Sequence, residues 1–531
     1  MNTAAQIIAA KLHEAGCRHA FGMPGGEVLQ LMQAMDEVGI EFSLCKHENN
    51  AGYLAEGTYH ATGAPGILLT TIGPGLANGL NSVANAFQEQ VPLIVLSGCI
   101  GRGEAESFTH QVIDQTALMA PITKAQFQVA KGSAQQVIEK ALMIARADPP
   151  GPVHVDVPHD IAGTEVAVIE RALLTPNPAA WPQGTTLDTA RAMLAKAKNP
   201  IILAGLGAVH HGAGAAILEL AEAGEIPVVT TYKAKGIIDE NHPLCLGGHG
   251  LSPMSDTLVL PLLQKSDCII LAGYDPIEMR NGWVERWDAA NAIEIIHADI
   301  QHGMHGAAVR FVGDVCLGIQ ALRHAVPTQC GGAPEARAKL EEMFAPRENW
   351  GPHQVFETVL NALPKGGIAT ADSGAHRILL SQMWRCKTPQ TLLQSTCFCT
   401  MGIALPLAMG YAKAVGPDGP KVVAFVGDAG FEMVIGELAT ARDMGINLTV
   451  VVLVDETLSL IDLKQSRSNL PQLGVNFGKS NIVNITKAYG GESQWINDKK
   501  ELIGAINRAF NYEGFTVLAC QIDKSEYAGA F

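Results

Sequence analysis

Runs of four to eight apolar residues recur along this chain: GILLTT at 66–71, PLIVLS at 92–97, PIILAGL at 200–206 and LTVVVLV at 448–454. A strand covered on both faces reads this way because neither face meets water, whereas a half-exposed strand alternates. Each run is far short of the ~20 residues that span a bilayer. Between the runs lie segments with apolar positions at helical spacing, such as 2–16 and Glu27–Val38, and turns rich in glycine and proline, such as Met23-Pro-Gly-Gly26. Apolar strands alternating with helices predict an α/β protein built of doubly wound parallel sheets.

The chain has 531 residues, which at roughly 100–200 residues per domain implies about three cores. Two irregular stretches divide it: TPNPAAWPQG at 175–184 and VPTQCGGAPE at 326–335. The resulting blocks, 1–170, 185–328 and 350–531, are of similar size and suggest one architecture used three times. The net charge of −15 repels polyanions, so nucleic acid is not an expected partner. The start, Met1-Asn-Thr-Ala-Ala-Gln, lacks a basic-then-apolar leader. A cytoplasmic protein with no membrane partner is therefore expected. Eleven scattered cysteines without C-x-x-C pairs read as buried reduced thiols rather than as zinc ligands.

The chemistry-bearing stretch is 422–465. A strand at Val422–Val426 enters Gly427-Asp428-Ala429-Gly430, a helix is predicted over Phe431–Met444, and the strand Leu448–Val454 ends at Asp455. Asp428 and Asp455 then stand at the C-terminal ends of two strands of one sheet, where open α/β sheets bind ligands. Small residues after Asp428 leave N–H groups open at a helix N-terminus, a setting suited to a phosphate. Two carboxylates repel that phosphate unless a cation intervenes. A hard cation such as Mg²⁺ takes oxygen ligands and completes its shell with phosphate and water. Gly-Asp-Ala-Gly alone is as readable as a plain turn in which Asp428 caps the helix. The second aspartate, also at a strand end, favours the metal–diphosphate reading.

The run GDAGFEM…GELATARDMGINLTVVVLVDETLSLI resembles the diphosphate-binding motif of thiamine diphosphate (ThDP) enzymes, in the Gly-Asp-Ala form of acetolactate synthases. The resemblance implies ThDP and Mg²⁺ as cofactors. Asp428 and Asp455 would hold the metal through their side chains and Thr457 through its carbonyl, with Gly427, Ala429, Gly430, Met433, Leu458 and Leu460 around the cofactor. Many relatives have Asn where this chain has Asp455; the FAD-independent acetolactate synthases have Asp.

FGMPGGEVLQLMQAM, CKHENNAGYLAEGTYHATG and TTIGPGLANGLNSVANAFQEQVPLIVLSG are similar to the pyrimidine-binding domain of the same family. They imply Gly26, Pro74 and Asn78 beside the cofactor and Glu48 as the catalytic glutamate. A hydrogen bond from its carboxylic acid to the aminopyrimidine favours the imino tautomer, which can take the proton from the thiazolium C2. A glutamate in Lys-His-Glu is otherwise most often a solvated residue at a helix start. ADSGAHRILLSQMW and LQSTCFCTMGIALPLAMGYAKA resemble the family's third signature. They imply Gly374, Ala375 and His376 against the diphosphate, Met401 as the wedge that bends the cofactor, and the Cys399 carbonyl as acceptor for its 4′-amino group. Without that context Met401 is ordinary core packing.

For substrate contacts the resemblance implies His110 and Gln111, and Lys464 where biosynthetic synthases carry a tryptophan. The glycine turn in ILAGLGAVHHGAGA does not have dinucleotide-binding spacing. AGYDPIEMRNGW at 272–283 resembles the FAD-free synthases, so FAD is not expected. His210 and His211 are expected to point apart into solvent. Three domains in the order pyrimidine-binding, central and diphosphate-binding follow from the resemblance. So does at least a homodimer, commonly a homotetramer, because the family's cofactor bridges two subunits. The implied activity is acetolactate synthase-like carboligation: a 2-oxo acid, with pyruvate the leading donor, is decarboxylated and added to a second carbonyl acceptor. A 2-oxo acid decarboxylase, or a lyase of 2-hydroxyacyl-CoA or cyclic diones, would use the same machinery.

Overall fold

The computed structural model describes residues 2–101, 103–104, 107, 109–168, 179–180, 182–300, 302–325 and 333–531. Three six-stranded sheets, all of whose neighbouring strands run parallel, make up the fold. The first contains β1 (His19–Met23), β2 (Glu41–Leu44), β3 (Gly66–Thr70), β4 (Leu93–Cys99), β5 (Ala125–Gln128) and β6 (Val153–Pro158), in the order β2-β1-β3-β4-β6-β5. The second contains β7 (Pro200–Ala204), β8 (Val228–Thr231), β9 (Cys245–His249), β10 (Cys268–Ala272), β11 (Ala292–Ile296) and β12 (Val309–Val312), in the order β9-β8-β7-β10-β11-β12. The third contains β13 (Ile368–Ala371), β14 (Leu392–Gln394), β15 (Val422–Gly427), β16 (Leu448–Val454), β17 (Glu492–Ile496) and β18 (Phe515–Gln521), in the order β14-β13-β15-β16-β18-β17.

The first and third sheets thus share one strand order and the central sheet has another, that of dinucleotide-binding domains. The doubly wound parallel architecture is used three times, in one strand order twice and in another once. Central strands such as β3, β4, β10 and β16 are buried along their whole length, as their unbroken apolar runs require. Of the two dividing stretches, 175–178, 181 and 326–332 lie outside the described residues, and 333–335 begin the helix Ala333–Met343. Among the described residues no helix is long and apolar enough to cross a membrane.

The first and third domains are joined by the crossing of α1 (Glu48–Thr62) and α2 (Ala404–Val415). Both helices carry a glycine at the crossing. A Cβ on Gly57 would lie 2.3 Å from the Leu407 carbonyl oxygen, and one on Gly410 would lie 1.9 Å from that of Leu54. Backbone meets backbone here, so no side chain can move aside. Gly410→Ala is therefore expected to cost about 1–3 kcal/mol or more. A urea titration should show the loss as an earlier transition. A midpoint equal to wild type would mean that the crossing is looser than this.

Candidate active site

In the third sheet the chain leaves β13 for one side and β15 for the other, so their C-terminal ends flank a switch point. A cavity of about 440 Å³ opens there. β15 delivers Gly427, whose extended backbone starts α3 (Asp428–Val434). The helix begins at Asp428 rather than at Phe431, so Asp428 is its first residue and not its cap. It also ends early: α4 (Glu437–Met444) is separate, split off at Ile435-Gly436.

Asp428 organises the turn after β16. One carboxylate oxygen accepts from the Ala429 N–H at 2.9 Å; the other accepts from the N–H groups of Asp455 and Glu456 at 3.1 and 2.7 Å. Glu456 adopts a left-handed conformation, φ 58°, which bends the chain around that oxygen. Asp455 accepts from the Thr457 N–H at 3.2 Å and from the Ser459 hydroxyl, at the start of α5 (Ser459–Arg467). Burial raises Asp428 above the ordinary carboxylate range. Burial, with the neighbouring Asp428 charge adding to it, raises Asp455 to about 7. Two buried carboxylates this close are costly as a pair of anions, and a divalent cation removes the cost.

Unpartnered polar side-chain atoms line the same cavity. Ser373 Oγ and His376 Nε2 are buried with no hydrogen-bond partner. Burial, and then the nearby Arg377 charge, lowers His376 to about 3, so its ring is neutral. A group with oxygen acceptors is what these atoms lack. Carboxylates for a cation at one end and orphaned donors beside them fit a metal-bound diphosphate.

The wall opposite is the segment before α2. Asp372, at the end of β13, accepts from the Gly402 and Ile403 N–H groups at 3.0 Å each, and a Cβ on Gly430 would lie 2.0 Å from its carboxylate. It thereby pins Met401 and Cys399 to the cavity; Cys399 is exposed and left-handed, φ 57°. Gly374, Ala375, His376, Cys399, Met401, Gly427, Asp428, Ala429, Gly430, Asp455, Thr457, Leu458, Leu460 and Lys464 all line the cavity. Met433 does not: it lies at the rim beside Gly402 and is 62% exposed. The sequence reading missed Asp372 behind the wall and, in the lining itself, Ser373, Arg377, Arg467 and the contributions of the central domain, Leu251, Pro253 and Arg280. Arg280 is braced by Asp256 at 2.5 Å, which also accepts from the Trp283 indole. An aspartate closing a strand was the available signal for Asp372; nothing local marked the others.

The remaining expected residues gather elsewhere, at the switch point between β1 and β3. Glu48 is the first residue of α1, 4% exposed, and accepts from the Asn78 side chain at 2.9 Å. Its other oxygen faces Gly75, where a Cβ would lie 3.2 Å away. Pro74 opens the short helix carrying Asn78. Gly73, at φ 62°, lies so close to Gln111 that a Cβ would come 2.1 Å from the Gln111 carbonyl oxygen. His110 precedes Gln111 in the exposed loop after β4, and Gly26 faces open space. Among the described residues, none from 2–168 lines the 440 Å³ cavity. Within a single chain the Glu48 group and the 440 Å³ cavity therefore lie apart.

The central domain fills its own switch point. Glu278, 2% exposed, accepts from the Leu206 N–H of the glycine turn at 3.1 Å and from Thr231 Oγ1 at 2.5 Å. A carboxyl group thus occupies the place a dinucleotide phosphate takes in such sheets. Burial raises Glu278 to about 8. Between about pH 5 and 8 the folded chain keeps a proton that the unfolded chain has lost, so this group makes stability fall as pH rises. Glu278→Gln is expected to flatten urea midpoints over that range. A slope unchanged from wild type would show that the carboxyl ionises freely. His210 and His211 are not solvated: His210 is largely buried, and His211 lies between Asp148 and Asp314, at 3.1 and 3.6 Å. Glu294, His302 and His305 also converge, but Arg310 stands 2.7 Å from the Glu294 carboxylate and His302 Nδ1 already accepts from the Met304 N–H.

A sheet switch point with paired carboxylates and orphaned donors defines a cofactor-dependent α/β enzyme. Family models agree domain by domain. The N-terminal TPP-binding domain of thiamine pyrophosphate enzymes matches residues 2–118, the central domain 187–322 and the C-terminal TPP-binding domain 372–520. An acetolactate synthase of Bacillus subtilis is 28% identical over 544 residues, covering 99% of this chain and 94% of that protein. The acetolactate synthase isozyme 1 large subunit of Escherichia coli is 29% identical, with 99% and 94% covered. A probable 2-ketoarginine decarboxylase of Pseudomonas aeruginosa is 27% identical, with 97% and 93% covered. The chain belongs to the thiamine pyrophosphate (ThDP)-dependent enzymes, which form or cleave C–C bonds, and is similar to acetolactate synthases over nearly its whole length.

Proposed function

We propose that the protein is a Mg²⁺-dependent carboligase that decarboxylates a 2-oxo acid, pyruvate foremost, and joins the remaining carbons to a second carbonyl compound. The observation that carries this reading is the paired Asp428 and Asp455 beside the orphaned Ser373 and His376 donors. The first two would hold the cation; Ser373 Oγ would donate to a diphosphate oxygen, and His376 Nε2 would do so in the tautomer that carries its proton. ThDP, when bound, supplies a carbon nucleophile and an electron sink for the loss of CO₂. The Glu48 oxygen that Asn78 leaves free would exchange a hydrogen bond and a proton with the cofactor, and the apolar cavity wall excludes water. Arg280, braced by Asp256, is placed to orient a substrate carboxylate. Glu278 in the central switch point supports a reading without FAD.

Separated half-sites support a homodimer in which Glu48 of one chain serves the cavity of another. Apolar side chains near both half-sites favour the same assembly: Leu29 is 58% exposed, Leu470 59% and Leu473 70%. A second reading, a 2-oxo acid decarboxylase, is favoured by the 2-ketoarginine decarboxylase relative. NMR of products from pyruvate, ThDP and Mg²⁺ separates the two. Acetolactate or acetoin supports the carboligase; acetaldehyde alone supports the decarboxylase. Unchanged pyruvate moves the donor to another keto acid, an acyl-CoA or a dione.

A further inference from the structure

All three domains meet at one buried ion pair. Lys233, just after β8, places its ammonium 2.5 Å from Oε2 of Glu89, which comes directly after a first-domain helix; both side chains are enclosed. The other Glu89 oxygen accepts from the Cys397 and Phe398 N–H groups at 2.8 and 3.1 Å, and Ser395 Oγ lies 3.1 Å from it. Ser395 Oγ also lies 2.7 Å from Asn85 Oδ1 and accepts from the Thr400 N–H at 3.2 Å. Further along, Thr400 Oγ1 is 3.1 Å from the Tyr53 hydroxyl on α1 and accepts from Asn81 at 3.0 Å. Residues 395–402 carry Cys399 and Met401 into the cavity. They are thus held from behind by the first domain of the same chain, with the charge closed by a central-domain lysine.

We infer that Glu89 is a positioning residue, paired with Lys233 to set how far the Cys399–Met401 segment stands into the cofactor cavity. The inference rests on the reading of that cavity as the ThDP site. Burial opposes both charges. The Lys233 charge nevertheless brings Glu89 below the ordinary carboxylate range, and the Glu89 charge brings Lys233 above that of a free lysine. Removing one partner would strand the other, whereas replacing both with neutral groups of similar volume leaves no buried charge. The central domain, which lines the cavity through Leu251, Pro253 and Arg280, thereby also reaches the cofactor seat from behind through Lys233.

The test is the double variant Glu89→Gln/Lys233→Met, compared with wild type in four measurements. These are the thermal midpoint, alkylation of Cys397 in the ThDP-free protein mapped by mass spectrometry, ThDP affinity by titration calorimetry, and C2-proton exchange of bound ThDP. The expected result is a near wild-type midpoint and affinity. Cys397, shielded in wild type, should be alkylated at least about 10-fold faster, and exchange should slow at least about 10-fold, since a displacement of 1 Å can cost ~10² in rate. Protected Cys397 with exchange within twofold of wild type would overturn the inference. If the double variant does not fold, Ser395→Ala, which removes only the shared hydroxyl, is read against the same outcomes. Absence of ThDP binding by wild type would sink the cofactor reading instead, and the alkylation measurement would still decide the positioning role.

Discussion

Glu48→Gln is expected to lower turnover by about 10²–10⁴-fold, the usual size of a general acid–base contribution, while ThDP and Mg²⁺ still bind. The split arises from where the side chain sits. Glu48 lies in the first domain beside Asn78 and Gly75, apart from the carboxylates and donors that would grip the diphosphate. A glutamine keeps the shape and an oxygen to accept from Asn78, but it cannot give up or take back a carboxyl proton. Steady-state rates with calorimetric ThDP binding on the same sample provide the check. A variant keeping more than about a tenth of wild-type activity would contradict the proton-holding role.

Asp428→Asn should do the reverse, weakening ThDP–Mg²⁺ binding by at least about 10²-fold, since even residues behind a metal ligand cost 10–100-fold. The side chain has two duties. It is a proposed metal ligand, and its carboxylate accepts from Asp455 and Glu456, which places the second proposed ligand. An amide retains one accepting oxygen and turns a donor toward the N–H groups it should receive, so both duties suffer. Calorimetric titration of ThDP at fixed Mg²⁺ reads the loss; an affinity within threefold of wild type would contradict the assignment. Mixing this variant with Glu48→Gln tests the shared site. In a two-fold symmetric dimer with one half-site from each chain, half the re-formed dimers are mixed. Each mixed dimer has one intact site, so about a quarter of wild-type activity should return. No recovery after verified subunit exchange would place both half-sites in one chain.

Much of the molecule was legible because its signals are local. The runs at 66–71 and 448–454 are strands for a reason contained in six or seven residues: both faces must be apolar. Gly427-Asp428 and Asp455 lie at strand ends, so they meet at a switch point once both strands share a sheet. Short or half-exposed strands such as β12 and β14 left a weaker trace. The α1 helix begins at Glu48. One reason lies 390 residues away: the buried Glu437 carboxylate, opening α4, accepts from the His47 N–H at 3.1 Å, and also from the Lys46 N–H and the Asn50 side chain.

The amino-acid sequence by itself determined the three α/β units, the family and the strand-end carboxylates Asp428 and Asp455 that are proposed to hold a metal. Periodicity, turn chemistry and strand-end carboxylates act over a few residues, and each suffices where it stands. Only the tertiary structure decided that Glu48 lies outside the cavity that Asp428 lines, that Glu278 fills the central crevice, and that Lys233 closes the charge on Glu89. These partners are chosen by packing across tens to hundreds of residues. A buried charge must find whichever counter-group the folded chain brings within reach, and no local pattern records which one that is.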